Sequence, residues 1–336
     1  MSTESKVAKT APGDWVRSAV RRITNWREFN VVLAVIILSA ILTASSDVFL
    51  TTANLFSVMR AFSLVAIMAI GETMVVLTGG IDLAVGSTMG LAGLMTALLI
   101  QAGHPVSLAV LAGLLSGILV GLANGVMITG LRLPPFIATL GTMSIGRGLM
   151  YWITHGWSVT LPQEQSAFLF LGQGYVGPVP VPVIVMFTLM LLSGLFLSRT
   201  FLGRYIYAVG GNEDAARLSG IRVTLVKILV YTISGACCAV AGLILLARMV
   251  SAQPMAGLGI ELYVIAAAAI GGTSLSGGEG TIFGSLMGAA MMGILQNGMV
   301  LVGIDTYAQQ AVVGTVIVLA VTLDQWRQRR KATRQA

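Results

Sequence analysis

The chain has 336 residues, of which 56% are hydrophobic and only 10% are charged, with a formal net charge of +7. A soluble domain of this length covers its surface with charged side chains, so this composition argues against a soluble protein. The positive charge does not indicate a nucleic-acid partner, because the basic residues cluster beside apolar runs, as they do at the ends of membrane helices.

Apolar runs recur along the whole sequence, and most are long enough to cross a bilayer core of about 30 Å. We therefore predict an all-α fold, a polytopic integral membrane helical bundle of about ten transmembrane helices. The predicted spans lie near residues 30–46, 58–78, 83–101, 106–129, 136–153, 181–198, 225–247, 261–273, 282–303 and 307–323. The spans at 136–153 and 261–273 are the weakest, since each is interrupted or short.

The basic residues predict which side of the membrane each segment occupies. Six of the 20 Lys and Arg residues precede the first apolar run, five lie between Arg199 and Lys227, and five follow the last run. Cytoplasmic segments are enriched in such residues, so we expect both termini in the cytoplasm. The predicted division is a basic tail at 1–28, a transmembrane domain at 29–324 and a basic tail at 325–336, with a cytoplasmic loop at 199–224 and a periplasmic loop at 154–180.

One polar interruption, residues 210–220 (GGNEDAARLSG), separates two long apolar runs and predicts a short helix outside the membrane. Asn212 is a favourable N-cap, and two acids follow it in the first turn, where the helix dipole stabilises negative charge. Glu213 and Arg217 are spaced for an ion pair, and Gly220 can end the helix. The segment is either an ordinary connecting loop or a capped helix that is offered to a partner.

This segment resembles the cytoplasmic coupling loop of bacterial ATP-binding-cassette (ABC) transporter permeases for monosaccharides, of the ribose, xylose and arabinose type. Five further blocks match ribose-type permeases in order and spacing: 78–87 (TGGIDLAVGS), 136–140 (FIATL), 202–209 (LGRYIYAV), 251–254 (SAQP) and 271–278 (GGTSLSGG). The resemblance thus extends over nearly the whole chain.

The resemblance implies a membrane subunit that pairs with a second permease subunit, identical or different, and binds two cytoplasmic ATP-binding subunits or a fused ATPase. A periplasmic sugar-binding protein would dock on the outer loops at 47–57, 154–180 and 248–260. The implied coupling residues are Gly211, Asn212, Glu213, Asp214, Ala215, Ala216, Arg217 and Gly220. The segment departs from the importer-permease pattern in having Asp214 in place of Glu and in lacking an Ile-x-Leu-Pro tail.

The chain contains no recognisable ATP-binding loop, since a Walker A motif requires lysine directly after glycine. Its lysines are Lys6, Lys9, Lys227 and Lys331, and none of them follows glycine. We therefore predict a transport subunit that is not an enzyme and that borrows ATP energy from a partner, uses an ion gradient or conducts passively. The resemblance implies the first of these, with ATP bound by the partner ATPase, and we expect no cofactor or metal in this chain.

Two acids lie in or beside the second span, and buried carboxylates are costly enough to be functional candidates. Glu72 either forms hydrogen bonds within the bundle or takes part in proton transfer. Asp82 follows Gly79 and Gly80, so it either caps the third span or belongs to a hinge or a pathway-lining break. Three amides on apolar helices either pack between helices or line a sugar path: Asn124, Gln296 and Asn297.

The sequence around Gly79 and Asp82 has a similar counterpart later in the chain. Residues 79–86 resemble 271–278, and the pair Asn124 and Gly125 resembles Asn297 and Gly298. Many transporters contain such repeats, but coincidence in a glycine-rich chain explains the similarity equally well.

These observations together predict a sugar permease in the bacterial inner membrane, in contact with lipid and without a nucleic-acid partner. One alternative is an ABC permease for branched-chain amino acids, a related group with similar glycine-rich blocks. Another is an ion-coupled secondary transporter that uses Glu72 or Asp82 as its proton site.

Overall fold

The structure is a computed structural model, and it describes residues 28–162, 166–305, 307–319 and 322. The tails predicted at 1–28 and 325–336 lie outside these residues, apart from Glu28. The Glu28 carboxylate is buried and accepts a hydrogen bond of 2.6 Å from the Thr281 hydroxyl. The chain is therefore anchored at the point where the first helix begins.

The described part of the chain forms thirteen helices and four two-residue strands. The helices are α1 (Phe29–Ser45), α2 (Thr52–Leu77), α3 (Val85–Gln101), α4 (Val106–Gly130), α5 (Pro135–Thr154), α6 (Ser166–Gln173), α7 (Val181–Arg199), α8 (Phe201–Gly211), α9 (Glu213–Leu218), α10 (Val223–Met249), α11 (Ile260–Ile270), α12 (Ile282–Leu301) and α13 (Tyr307–Leu319). Strand β1 (Val159–Thr160) pairs antiparallel with β4 (Ser251–Ala252), and β2 (Tyr175–Val176) pairs with β3 (Val179–Pro180).

Each predicted span coincides with one helix, which confirms a helical bundle. Five helices are long and apolar enough to cross a membrane, namely α2, α4, α7, α10 and α12. Four shorter helices are also apolar, namely α1, α3, α11 and α13. The largest difference in a starting boundary is at α2, which begins at Thr52 rather than at residue 58.

Helix α10 lies at the centre of the bundle and packs most extensively against α4, α2 and α3. Small residues allow these backbones to approach closely. A Cβ on Gly235 of α10 would overlap the carbonyl oxygen of Gly117 on α4, and a Cβ on Gly242 would overlap the carbonyl oxygen of Met89 on α3. The tight crossings make α10 the common support for the elements packed around it.

Two helix breaks share the same geometry. Gly79 follows α2 with φ +76°, and Gly272 follows α11 with φ +88°, a region that glycine adopts without strain. The residue after each glycine donates to the carbonyl five positions earlier, at 3.2 Å and 3.0 Å. The structure therefore aligns Gly79 with Gly272, which shifts the sequence match of 79–86 with 271–278 by one residue.

Two segments that the sequence predicts as loops contain further elements. The segment at 154–180 contains α6 and the β2–β3 hairpin, and its strand β1 pairs with β4 in the segment at 248–260. The segment at 199–224 contains the expected short helix α9. It also contains α8, which was not predicted from the sequence.

Candidate coupling site and buried acid cluster

The short helix α9 is capped at both ends as the sequence predicts. Asn212 Oδ1 accepts a hydrogen bond of 2.9 Å from Ala215 N, and Gly220 follows the helix with φ +84°. Glu213 and Asp214 occupy the first turn, where acids are favourable. The predicted capped helix is thus confirmed, while its role in coupling stays a prediction.

Glu213 joins α9 to the beginning of α10. Its Oε1 accepts from the Arg217 guanidinium at 2.9 Å, and its Oε2 accepts from Lys227 Nζ at 2.6 Å. The hydrogen bond from Lys227, with the charges of both bases, holds the pKa of the Glu213 carboxyl below its usual value. The sequence predicts the pair with Arg217 from its spacing but misses Lys227, although no other lysine lies between Lys9 and Lys331.

Replacing Asn212 with alanine is expected to loosen α9, because loss of a capping acceptor costs about 1 kcal/mol. Hydrogen exchange of the amides at 213–218 should then be faster by about fivefold, since exchange follows the free energy of local opening. Asn212→Asp is the matched control, as it keeps an acceptor at the same position. Equal exchange rates in the alanine variant and the wild type would contradict the capping role.

The outer side of α9 is exposed. Leu218 is 90% exposed, whereas Ala216 is buried and faces the bundle. A cavity of about 980 Å³ lies beside the helix, and Glu213 lines it. Four basic residues also line this cavity: Arg132, Arg217, Arg222 and Lys227. The surface beside α9 is therefore concave and positively charged.

Helix α8 connects α9 to both helix breaks. A Cβ on Gly210, in the last turn of α8, would overlap the carbonyl oxygen of Leu77. Gly278 N donates to that same oxygen at 2.9 Å, and the Tyr207 hydroxyl donates to Gly280 O at 2.8 Å. The end of α8 therefore touches the main chain of both breaks.

Glu72 and Asp82 form a buried polar cluster at the first break, and they are 0% and 2% exposed. Glu72 Oε1 accepts from Asp82 N at 3.1 Å. Asp82 Oδ1 accepts from Ala84 N at 3.0 Å, and Asp82 Oδ2 accepts from the Ser234 hydroxyl at 2.9 Å. The two acids thus hold the main chain of the break and fasten it to α10.

Of the two alternatives for Asp82, the cap of the third span is not the one that the structure shows. The N-cap of α3 is Ala84, which has no side-chain cap, so Asp82 bonds the turn before the helix rather than its first turn. Gly80 in this turn is also packed closely. A Cβ on Gly80 would overlap the hydroxyl of Tyr231, which donates to Ile81 O at 3.3 Å.

The three predicted amides do not join this cluster. Asn124 is fully buried, and its Oδ1 accepts from the Thr142 hydroxyl at 2.6 Å, between α4 and α5. Asn297 exchanges two hydrogen bonds with Asn54, at 3.1 Å and 2.9 Å, between α12 and α2. Gln296 is half-buried on α12. Asn124 and Asn297 therefore connect helices, and the structure does not bring the amides and the acids to one path.

Known proteins similar to this chain are transport-system permeases. The chain is 44% identical to the ribose import permease protein of Escherichia coli (strain K12), over 88% of this chain and 93% of the relative. It is 42% identical to the ribose import permease protein of Bacillus subtilis (strain 168), over 87% of this chain and 91% of the relative. The L-arabinose transport system permease protein of Escherichia coli (strain K12) is 37% identical, over 92% of this chain and 93% of the relative.

A family model gives the same result. Residues 54–321 match the model described as "branched-chain amino acid transport system / permease component". The match includes every helix from α3 to α13 and both helix breaks. This chain therefore belongs to that family of transport-system permease components.

Proposed function

We propose that this protein is the membrane-spanning permease subunit of an ABC importer for a monosaccharide, with ribose as the first candidate. The observation that carries the proposal is α9, a capped helix of six residues with an exposed outer side and a direct backbone route into the bundle. The relatives named as ribose and L-arabinose permeases support the sugar class.

The ten helices that match the predicted spans would cross the bacterial inner membrane, with both termini in the cytoplasm. The basic residues beside α9 support this orientation, because cytoplasmic segments carry more Lys and Arg. Helix α10 has 27 residues and is about 40 Å long, so it begins at the cytoplasmic side near α9 and ends at the periplasmic side.

The surface around α9 fits a cytoplasmic ATPase subunit. Its exposed leucine suits an apolar contact, and its positively charged cavity favours acidic residues on the partner. Two such subunits would bind and hydrolyse ATP, and a second permease subunit would complete the membrane part. A periplasmic sugar-binding protein would deliver the sugar at the opposite face. ATP-driven closure of the ATPases would move α9, and α8 would transmit the motion to the helix breaks.

Glu72 and Asp82 are assigned to holding the first break rather than to contact with sugar. Both are closed off from solvent, and their hydrogen bonds end on main-chain amides and on Ser234. The ion-coupled alternative is disfavoured because relatives that cover nearly the full chain are named as ribose import and L-arabinose transport-system permeases. The amino-acid alternative is kept because the matching family model names branched-chain amino acids.

Transport in proteoliposomes tests the proposal. Vesicles would hold the permease with its ATPase, and the host cell's sugar-binding protein, loaded with radiolabelled ribose, would be present on the side opposite α9. We expect ribose to accumulate only when ATP reaches the ATPase, and not when the ATPase carries a substituted Walker A lysine.

Two outcomes would overturn the proposal. Accumulation driven by a pH gradient without nucleotide would indicate an ion-coupled transporter. Accumulation of leucine instead of sugar, with a leucine-binding protein, would indicate an amino-acid importer.

A further inference from the structure

The turn between α4 and α5, residues 131–134, lies at the end of the bundle where α10 begins. Leu131 and Arg132 are both exposed there, and 68% of the Leu131 surface is exposed. Arg132 has φ +57°, a backbone conformation that residues other than glycine rarely adopt. The turn is held to the end of α4, because Leu131 N and Leu133 N both donate to Met127 O, at 3.2 Å and 3.4 Å. The α4–α5 turn thus carries a leucine and an arginine on a fixed main chain.

The basic cavity beside α9 joins the α4–α5 turn to that helix. Arg132 lines the cavity from the turn, Arg217 lines it from α9, and Arg222 is the N-cap residue of α10. Arg132 and Arg222 are exposed, so a partner can reach their guanidinium groups from solvent. Among the described residues that line the cavity, Glu213 is the one acid, and it already accepts from Arg217 and Lys227. An acidic side chain of a partner would therefore be attracted to Arg132 and Arg222.

An exposed leucine accompanies the cavity on both elements. Leu131 belongs to the α4–α5 turn, and Leu218, the last residue of α9, is 90% exposed. Each leucine is next to an arginine in the sequence, Arg132 or Arg217, so it lies at a charged surface rather than within an apolar helix face. Apolar side chains that flank arginines are typical of a surface that binds another protein.

A partner bound at the α4–α5 turn would act on the first helix break through α5. Pro134 and Pro135 fix the main chain where the turn becomes α5, so the turn continues rigidly into the helix. The Thr139 hydroxyl, one turn further along, lies 3.4 Å from Ile81 O, within hydrogen-bond distance. Helix α5 therefore contacts the first break at a different carbonyl from that of Leu77, which α8 touches.

We propose that the ATPase subunit binds the α4–α5 turn together with α9 and places one acidic side chain in the cavity, where Arg132 and Arg222 receive it. The inference rests on the proposed function, since it takes the ATPase as the partner, but it adds a second contact and a second route. Leu131 and Leu218 make the apolar contacts on the two elements. Motion of the ATPase then reaches the first break both through α9 and α8 and through the turn and α5.

The first test measures the affinity of the permease, in phosphatidylcholine nanodiscs, for the ATPase subunit from the host cell. Arg132→Gly is expected to weaken binding by about tenfold, because it removes one side of the proposed charge pair. Glycine adopts φ +57° without strain, so the unfolding temperature should stay close to that of the wild type. Arg222→Gln should weaken binding to a similar degree.

The matched control for these variants is Arg199→Gln. Arg199 is an exposed arginine that ends α7, and it is not among the residues that line the cavity. Its affinity for the ATPase should equal that of the wild type. An equal loss of affinity in Arg199→Gln would show that binding depends on overall charge rather than on the cavity, which would overturn the inference.

Site-directed cross-linking is the second test, and it locates the contact. Cys237 and Cys238 are buried, so a photoreactive maleimide would label a cysteine introduced at an exposed position instead. Leu131→Cys and Leu218→Cys are both expected to capture the ATPase subunit. Leu192→Cys is the control, because this exposed leucine lies inside the apolar helix α7 and should capture lipid alone.

The outcomes separate this inference from the proposed function. Capture by Leu218→Cys but not by Leu131→Cys would refute the second contact and leave the role of α9 intact, and so would equal affinity of Arg132→Gly and the wild type. Capture of lipid by Leu131→Cys in place of the ATPase would assign the turn to the membrane and also refute the inference. A wild-type permease that binds no ATPase subunit would refute the proposed function itself.

Discussion

Gly210→Ala is expected to reduce ATP-driven sugar uptake to background. The added Cβ would overlap the Leu77 carbonyl oxygen, which already accepts from Gly278 N, so α8 could not stay in place beside both breaks. Overpacking of this kind costs about 1–3 kcal/mol even when the surroundings adjust. Backbone atoms adjust less readily than side chains, so we expect displacement of α8 and α9 rather than accommodation. Ribose uptake and the unfolding temperature would be measured together.

Gly194→Ala is the matched control for this experiment. Gly194 also lies inside a helix, α7, but a Cβ there has no neighbour within 4 Å, so uptake should stay near the wild-type rate. Gly210→Ala with wild-type uptake would show that α8 does not transmit motion to the breaks. A variant that fails to insert would be examined for ATPase binding in detergent, where the displaced α9 should bind more weakly than in Gly194→Ala.

Glu213→Lys is expected to separate ATP hydrolysis from transport. The substitution breaks the contacts with Arg217 and Lys227 and places three positive charges together, so α9 loses its connection to α10. Sugar uptake should fall by about tenfold or more, because the substitution replaces two attractions with two repulsions. A tenfold change corresponds to about 1.4 kcal/mol. Membrane insertion should be unaffected, because Glu213 lies outside the spans.

Two companion variants refine this expectation. Glu213→Gln keeps an oxygen acceptor without the charge, so it should lie between the wild type and Glu213→Lys. Ala216→Glu introduces a charge at a buried position of α9 and should also uncouple the transporter. Normal uptake by Glu213→Lys, with the ATPase still stably bound, would count against the coupling role of α9.

The fold followed from the sequence where local signals were sufficient. Apolar runs predicted every long helix, and the cap at Asn212, the pair of Glu213 with Arg217 and the stop at Gly220 predicted α9. Close sequence resemblance to sugar permeases was confirmed by relatives that cover nearly the full chain. All of these features depend on residues at most a few positions apart, or on motifs that occur as continuous blocks.

The features that the sequence did not predict depend mostly on contacts between distant segments. Helix α8 has only 11 residues, and its buried positions Gly203, Ile206 and Val209 repeat every three residues, a signal too short to stand out beside apolar spans. The pairing of Glu213 with Lys227 spans 14 positions. The contact between the Arg60 guanidinium and the Tyr175 ring also joins two segments that are far apart along the chain.

The contact among Gly210, Leu77 and Gly278 limits how such permeases can be recombined. It joins main-chain atoms, so no exchange of side chains can adjust its fit. A chimaera that receives a foreign segment 200–222 would therefore need the donor's turns at 77–84 and 271–281 as well. These three pieces form one interchangeable cassette, although they are far apart along the polypeptide.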